Sequence, residues 1–427
     1  MVVKSSRKVM DRPLRFCMIN TFYPPYSFGG DGIFVHRLSN ELAKRGHKVD
    51  VIHCIDSYRL RAGHDPVTTY DDHPNVTVHG ISSPFGFLSP VATQQTGYPL
   101  FKSSRILEIL KKDFDVIHYH NISLFGPKIL QYGQGIKLYS MLEYWLVCPT
   151  HTLFRFNRAP CARRHCFTCS LVYKRPPQWW RYSSLLKNSL EHVDTFIAPS
   201  RFTEDIHRRF GLKIPMLHLP YFVPPIAPTT RPGNSSTKPY FLFVGRLEKL
   251  KGLQTLIPIF RLYQKADLLI AGTGDDEPNL KKLAGDNDRI RFLGYVSGTR
   301  LQDLYRHAVA VIVPSICFDV YPLVPLEALS AQTPIVVRNL GGMPEVIEES
   351  GAGFIYNTNQ ELVSAMDRLL DNSSYRNQLG RRGYEAYKKN WTAEAHLERY
   401  FRLIRDIAAA RGQLQESQAQ AAAFGKA

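Results

Sequence analysis

VPSICFDVYPLVPLEALSAQTPIVVRNLGGMPEVI, residues 313–347, carries the punctuation of an α/β unit. An apolar strand pattern ends at Pro314 and Ser315, a loop carries Asp319, and a helical pattern opens near Pro325 with Glu327 in its first turn. A second strand pattern, TPIVVRN (333–339), follows. Proline suits a first helical turn, where an N–H would have no partner. The free N–H groups and partial positive charge of a helix start can hold a phosphate. Asp319 in the loop and Glu327 at the helix start are placed to hydrogen-bond sugar and ribose hydroxyls. Blander readings stand beside these: Glu327 as a helix-dipole carboxylate, Asp319 as a turn residue.

The same rhythm extends in both directions. Upstream lie YFLFVG (240–245), ADLLIAG (266–272), IRFLG (290–294) and VAVIVPS (309–315); downstream comes GFIY (353–356), then a long polar helical region over 358–411. Before this series, VPPIAPTTRPGNSSTKP (223–239) is dense in Pro, Thr, Ser and Gly, the composition of a linker. An earlier series reads LRFCMI (14–19), VDVIHC (49–54), VTVHGI (76–81), DVIHYH (115–120), IKLYSM (136–141) and DTFIAP (194–199). Strands alternating with helices predict parallel sheets covered on both faces. The expected fold is therefore α/β: two doubly wound, Rossmann-like domains, 13–222 and 240–411, joined by linker 223–239. Residues 1–12 and the low-complexity stretch 412–427 are expected to be disordered. Two such domains create a cleft between the carboxyl ends of two sheets, where ligands of open α/β folds bind.

The 427 residues are 44% hydrophobic and 21% charged, a globular balance. No apolar run of about 18 residues appears, so no membrane span is expected. The basic start MVVKSSRKVMDRPLRF lacks the apolar core of a secretory signal. Seven cysteines, an odd number, do not suggest an oxidised scaffold, and a reducing cytoplasm is the expected compartment. The net charge of +17 is lopsided: residues 1–230 carry 29 Lys and Arg against 16 Asp and Glu, the remainder 25 against 21. Such an imbalance speaks to partners: nucleic acid, an anionic membrane face or a phosphorylated substrate.

Cations sit where a phosphate would need them. FVGRLEKLKG places Arg246 and Lys251 just after a strand, and guanidinium and ammonium together suit a diphosphate; two solvated surface cations are the bland alternative. AGTGDDE (271–277) is a Gly-rich turn containing Gly274, without the spacing of a dinucleotide fingerprint. IRFLGYVS ends a strand at a glycine, so the backbone near Tyr295 can meet a base. In NTFYPPYSFGGDGIFVHRL, Gly29 and Gly30 let backbone approach a ligand closely; a flexible turn is the alternative.

With these residues on the page, the chain resembles a family 4 retaining glycosyltransferase of the GT-B fold. That family's signature is Glu, seven residues, Glu; here Asp319 and Glu327 bracket seven residues, a conservative departure at the first position. Arg246 and Lys251 match the family's phosphate clamp, and Gly341, Gly342, Pro344 and Glu345 match its GG-x-PE element. The likeness runs from about 14 to 405, nearly the whole chain. It implies transfer of a sugar from a nucleotide-sugar donor with retention of configuration, and a last helix that returns to the first domain. Asp319 would contact donor sugar hydroxyls, Glu327 the ribose, and Arg246 and Lys251 the leaving diphosphate. Gly29, Gly30, Gly274, Tyr295, Leu323 and Val324 would line the donor. No cofactor is required, since cationic side chains and a helix N-terminus replace a divalent metal.

The first domain departs from the family at one position. Relatives keep His followed by Asp or Glu after the fifth strand; here the text is Leu142-Glu143. Three readings stand. His118, His120 or Glu143 substitutes for that histidine; the protein is a weakened or inactive binding or scaffold relative; or the loop is shifted. His118 and His120, on one face of a strand end, are acceptor-side candidates with Leu142, Glu143 and Arg155; core packing is the alternative for either histidine.

The loop that follows gathers Cys148, Cys161, Cys166 and Cys169, including a C-x-x-C pair. Structural zinc, isolated reduced thiols, and disulfide or redox chemistry remain open readings of it. From 151 to 187 there are eight Lys or Arg and no acid, with Trp179, Trp180 and Tyr182 among them. Aromatic and basic residues together suit a bilayer interface; a Trp-anchored loop is the alternative. No nucleic-acid module is recognisable. The expected partners are a nucleotide-sugar, a glycan or lipid-linked acceptor, and an anionic membrane surface on which a cytoplasmic protein would sit peripherally.

Overall fold

The computed structural model describes residues 12–67, 69–226 and 238–424. The expected disorder at the N-terminus and most of the linker fall outside these. The first domain holds a seven-stranded sheet of β1 (Arg15–Ile19), β2 (Lys48–Cys54), β3 (Val76–Ile81), β4 (Val116–Tyr119), β5 (Ile136–Ser140), β8 (Thr195–Ala198) and β9 (Met216–His218). A short antiparallel hairpin, β6 (Phe154–Arg155) and β7 (Ala159–Pro160), stands apart from it. The second domain holds β10 (Tyr240–Val244), β11 (Asp267–Ala271), β12 (Ile290–Gly294), β13 (Ala310–Val313), β14 (Ile335–Arg338) and β15 (Gly353–Tyr356).

The orders are β3-β2-β1-β4-β5-β8-β9 and β12-β11-β10-β13-β14-β15, all pairs parallel. Strand β9 was not foreseen: three residues between Pro215 and Pro220 give too little pattern to read. The central strands are apolar runs because both faces are covered: all five residues of β5 and of β11 are buried, while the edge strand β3 is largely exposed.

Each sheet reverses its winding once, between β1 and β4 and between β10 and β13. Crevices outside the carboxyl ends of strands at such points are where open α/β sheets bind ligands. The two points face each other. Gly252, at φ +79°, closes the loop after β10 against the end of β13, where a side chain would overlap the Pro314 carbonyl.

The chain crosses between domains twice, and the crossings touch. Val223 N–H donates to the Trp391 carbonyl (3.1 Å), and the Trp391 indole donates to the Tyr321 hydroxyl (2.9 Å). The last helix, Ala393–Phe424, then lies on the first domain. Its Tyr400 stacks on His118 and Phe16, and Arg411 holds Asp194 at 2.7 Å. This helix runs past 411, where a disordered tail was expected; an Ala- and Gln-rich sequence of low complexity is also a strong helix former.

Candidate active site

Five segments converge on the cleft. After β1, the helix Gly30–Lys44 starts with Gly29 as its N-cap. The loop after β5 brings Leu142 and Glu143, the loop after β10 brings Arg246 and Lys251, and the loop after β13 brings Ser315 and Asp319. The helix Leu323–Ser330 completes the set. A side-chain carbon on Gly29 would lie 3.7 Å from Arg246 Nε, and one on Gly30 would lie 3.4 Å from Leu323 Cδ1. The two glycines therefore mark where one domain's backbone meets Arg246 and a helix start of the other.

Helix Leu323–Ser330 begins two residues earlier than expected, with Pro322 as its N-cap. Glu327 is thus in the second turn, too far along to answer the helix dipole. Its partners are side chains instead: Arg37 Nη2 donates to Oε1 (3.0 Å) and the Tyr305 hydroxyl to Oε2 (2.9 Å). Arg37 belongs to the first domain, so the pair spans the cleft. Lys251 Nζ donates to Asp319 Oδ1 at 2.6 Å, and Arg246 Nη1 to Glu248 Oε1 at 2.5 Å. Burial alone would lower the Lys251 pKa, but Asp319 beside it, with the Cys317 thiol, raises it above the usual value. The ammonium is therefore held charged.

Several buried polar atoms here have no partner: Asp319 Oδ2, Ser315 Oγ, Arg37 Nη1 and Glu143 Oε1. Buried polar groups are almost always satisfied, so a cluster of orphans in one cleft marks a ligand's place. Gly274 sits under the Leu247 carbonyl, where a side-chain carbon would come within 2.5 Å, and so fixes the clamp loop from below. Tyr295 is 65% exposed at the cleft rim. Leu323 and Val324 are the first two residues of the helix.

On the acceptor side the expectations divide. His118 and His120 are buried to 1% and 0% exposure, their rings 4.0 Å apart beneath the last helix. The Tyr400 and Ser140 hydroxyls lie 2.9 and 2.8 Å from the two His118 nitrogens. Both histidines are core residues, and burial pushes their pKa down, to about 3 for His120. Leu142 packs against the main core. Glu143 accepts from His151 Nδ1 at 2.6 Å. Asp31, in the first turn of helix Gly30–Lys44, lies near Glu143 and Arg246; burial raises its carboxyl pKa against the bond from Gly32, and Glu143 raises it further. Arg155 lies on the β6–β7 hairpin, whose Asn157 carbonyl accepts from Lys249 of the other domain (3.1 Å).

Sequence reading missed Arg37, Tyr305, Asp31 and His151 as cleft residues. Asp31 adjoins the two glycines and was open to notice. His151 follows the loop of Leu142 and Glu143 by only a few residues. Nothing local marks Arg37 or Tyr305, which the tertiary fold alone brings to Glu327.

The four clustered cysteines line one small cavity with Arg155, His165 and Phe210. Among the described residues, no three of their sulfurs gather within 4.8 Å of one another, so the arrangement does not support the zinc reading. Local bonds hold them apart: Cys148 pairs with the Thr150 hydroxyl (3.3 Å), Cys161 with the Arg163 carbonyl (3.3 Å), and Cys169 with the Phe156 N–H (3.3 Å). All seven cysteines are free thiols. Burial and the neighbouring thiols push Cys161 up to about 11.

Two facing Rossmann-like sheets with phosphate-ready cations at their switch points define a GT-B glycosyltransferase. Residues 28–220 match the family described as Glycosyltransferase Family 4, and residues 229–386 that described as Glycosyl transferases group 1. An uncharacterized glycosyltransferase of Methanocaldococcus jannaschii is 35% identical over 385 residues, 85% of this chain and 90% of its own length. The chain belongs to the family 4 glycosyltransferases. Among solved structures, sucrose-phosphate synthase of Thermosynechococcus elongatus matches with a TM-score of 0.70 at 20% identity, over 96% of this chain and 100% of that one. The Anabaena HepE protein in complex with UDP matches at 0.60 and 15% identity, over 95% and 100%.

Proposed function

We propose that the chain transfers a sugar, with retention of configuration, from a nucleoside diphosphate sugar to a glycan or lipid-linked acceptor in cell-surface polysaccharide or glycolipid synthesis. The observation that carries this is the cleft's set of orphaned polar atoms beside Arg246 and the charged Lys251–Asp319 pair. Arg246 and Lys251 stabilise charge as it develops on the leaving diphosphate, often the largest catalytic term. The N-terminus of helix Gly30–Lys44 adds a partial positive charge from the opposite wall. Glu327 takes the ribose hydroxyls in exchange for one of its present partners, and Asp319 Oδ2 faces the sugar. The Anabaena relative's UDP is consistent with a uridine donor.

Glu143 with His151 takes the place of the family histidine. Asp31, with its raised pKa, stands ready to hydrogen-bond an acceptor hydroxyl. A bilayer surface suits the exposed aromatics of this domain: Phe87 at 61% and, amid the basic residues of 151–187, Phe167 at 44%, Trp179 at 61% and Tyr182 at 67% exposure. No helix among the described residues is long and apolar enough to cross a membrane.

A thermal-shift screen of nucleotide-sugars, followed by turnover with the best binder, tests the reading. The expected result is a raised melting temperature with one donor and turnover that is lost in Glu327→Ala; absence of binding by every common donor overturns it. Leu142 favours a second reading, an inactive donor-binding relative. Donor binding without transfer or hydrolysis, together with a large gain of turnover in Leu142→His, would establish it.

A further inference from the structure

Outside the cleft, three metal-ligating side chains meet at the boundary between the domains. His218 ends β9 of the first domain, and Glu345 and Glu349 lie one turn apart on the helix Met343–Ser350 of the second. One ligand atom from each, an imidazole nitrogen and two carboxylate oxygens, all lie within 4.8 Å of one another.

Helix-end bonds account for Glu345, but nothing around His218 and Glu349 explains this meeting. His218 Nε2 is buried and has no hydrogen-bond partner. The other ring nitrogen bonds the Pro199 carbonyl, the arrangement that leaves the lone pair on Nε2 and that metal-ligating histidines use. Glu349 makes no hydrogen bond or ion pair among the described residues. Glu345 accepts from the Arg201 and Phe202 N–H groups, at 2.8 and 2.7 Å, one on each oxygen. Each oxygen keeps a second lone-pair site. Arg201 and Arg399 lie near enough to act on the group, and Glu348 adds a further negative charge. Neither arginine comes within ion-pair distance of either carboxylate. Two carboxylates and a bare imidazole nitrogen at this spacing call for a cation or a shared proton.

We propose that His218, Glu345 and Glu349 bind a divalent cation that ties the two domains together. One nitrogen and two hard oxygens suit first-row ions such as manganese, cobalt or zinc, with water in the remaining positions. Since each domain supplies ligands, the cation binds the closed arrangement and not an open one, and so shifts the balance towards closure. The site shares no residue with the donor pocket. Its role is to set the domain equilibrium, not to touch substrate.

Titration with Mn²⁺, followed by electron paramagnetic resonance or calorimetry, tests this on the full chain without substrate. Manganese avoids thiols, so the cysteine-lined cavity does not compete. Cobalt provides a check, because thiolate ligation would show intense charge-transfer bands that N/O ligation lacks. The expected result is one equivalent of Mn²⁺, bound at least about tenfold more weakly in Glu349→Gln and in His218→Gln. Glu349 is exposed, so its substitution removes a ligand without disturbing the core. Mn²⁺ binding unchanged in Glu349→Gln, or no saturable binding of either ion, overturns the proposal. In the second case, a metal-free Glu349→Gln protein more stable than the parent identifies a shared proton as the answer.

Discussion

Replacing Lys251 by Met tests the centre of the cleft. The change keeps the length of the stem and deletes the ammonium 2.6 Å from Asp319 Oδ1. Asp319 is left with only the Cys317 thiol, 4.0 Å from Oδ1, and with Oδ2 already without a partner. Breaking a fully buried ion pair costs about 3–5 kcal/mol. Here the side chains are 26% and 14% exposed, so solvent screening reduces the expected loss to about 2–3 kcal/mol. Removing one preorganised group that stabilises transition-state charge lowers kcat by about 10²–10³-fold. The two losses separate in the double variant Lys251→Met/Asp319→Asn. It removes the stranded charge and should recover most of the stability in urea unfolding, while transfer stays low. Transfer in Lys251→Met within about tenfold of the parent would refute the role of the ammonium. Unchanged stability would refute the pairing with Asp319.

Arg37→Ala should free Glu327 from its cross-cleft partner; binding of the free nucleoside diphosphate should change by several-fold, while Arg37→Lys, keeping the charge, should lie between, as calorimetry would show. The buried histidines set an acid limit. Burial depresses His396, His207 and His53 to about 4, against 6.5 when unfolded. The unfolded chain takes up protons first, so their contribution is complete above pH 6.5 and is lost as pH falls towards 4. Each can cost on the order of 3 kcal/mol at the bottom of that window. Urea midpoints measured from pH 7 to pH 4.5 should fall steeply, and a flat profile would contradict buried neutral imidazoles. Trp179→Ala with Phe87→Ser should weaken sedimentation with anionic vesicles and leave neutral vesicles unaffected; equal retention on both would sink the membrane reading.

Much of this molecule was legible because its strands obey a simple rule. An apolar run bounded by Gly, Pro or Asn has few alternatives when both faces of a sheet are covered, and twelve such runs became strands. β9 escaped because three residues carry no periodicity. The cleft positions of Arg246, Lys251 and Asp319 were legible because loops after strands point at the cleft in such a fold, so placing them needed no tertiary information. His118 and His120 obeyed the same local rule and still ended in the core. What decided their fate was the helix carrying Tyr400, which arrives 282 residues later in the chain. Glu327 was placed in the right helix but in its first turn, whereas the helix starts two residues earlier, and its partners Arg37 and Tyr305 lie in no window around it. The cysteines cluster in sequence, yet clustering along a chain does not dictate that sulfurs share a centre. Backbone and hydroxyl bonds claimed Cys148, Cys161 and Cys169 separately.

The last helix completes the first domain, so the fold's boundary and the chain's boundary do not coincide. A gene divided at the linker would yield a first half whose β1, β4 and β5 face lacks its cover, with Phe16 and His118 bare to water. During synthesis the first domain waits for the second to be made before it can finish folding. The two halves of this enzyme are therefore one inheritance unit: neither can be exchanged with a relative's unless the terminal helix travels with the domain it covers.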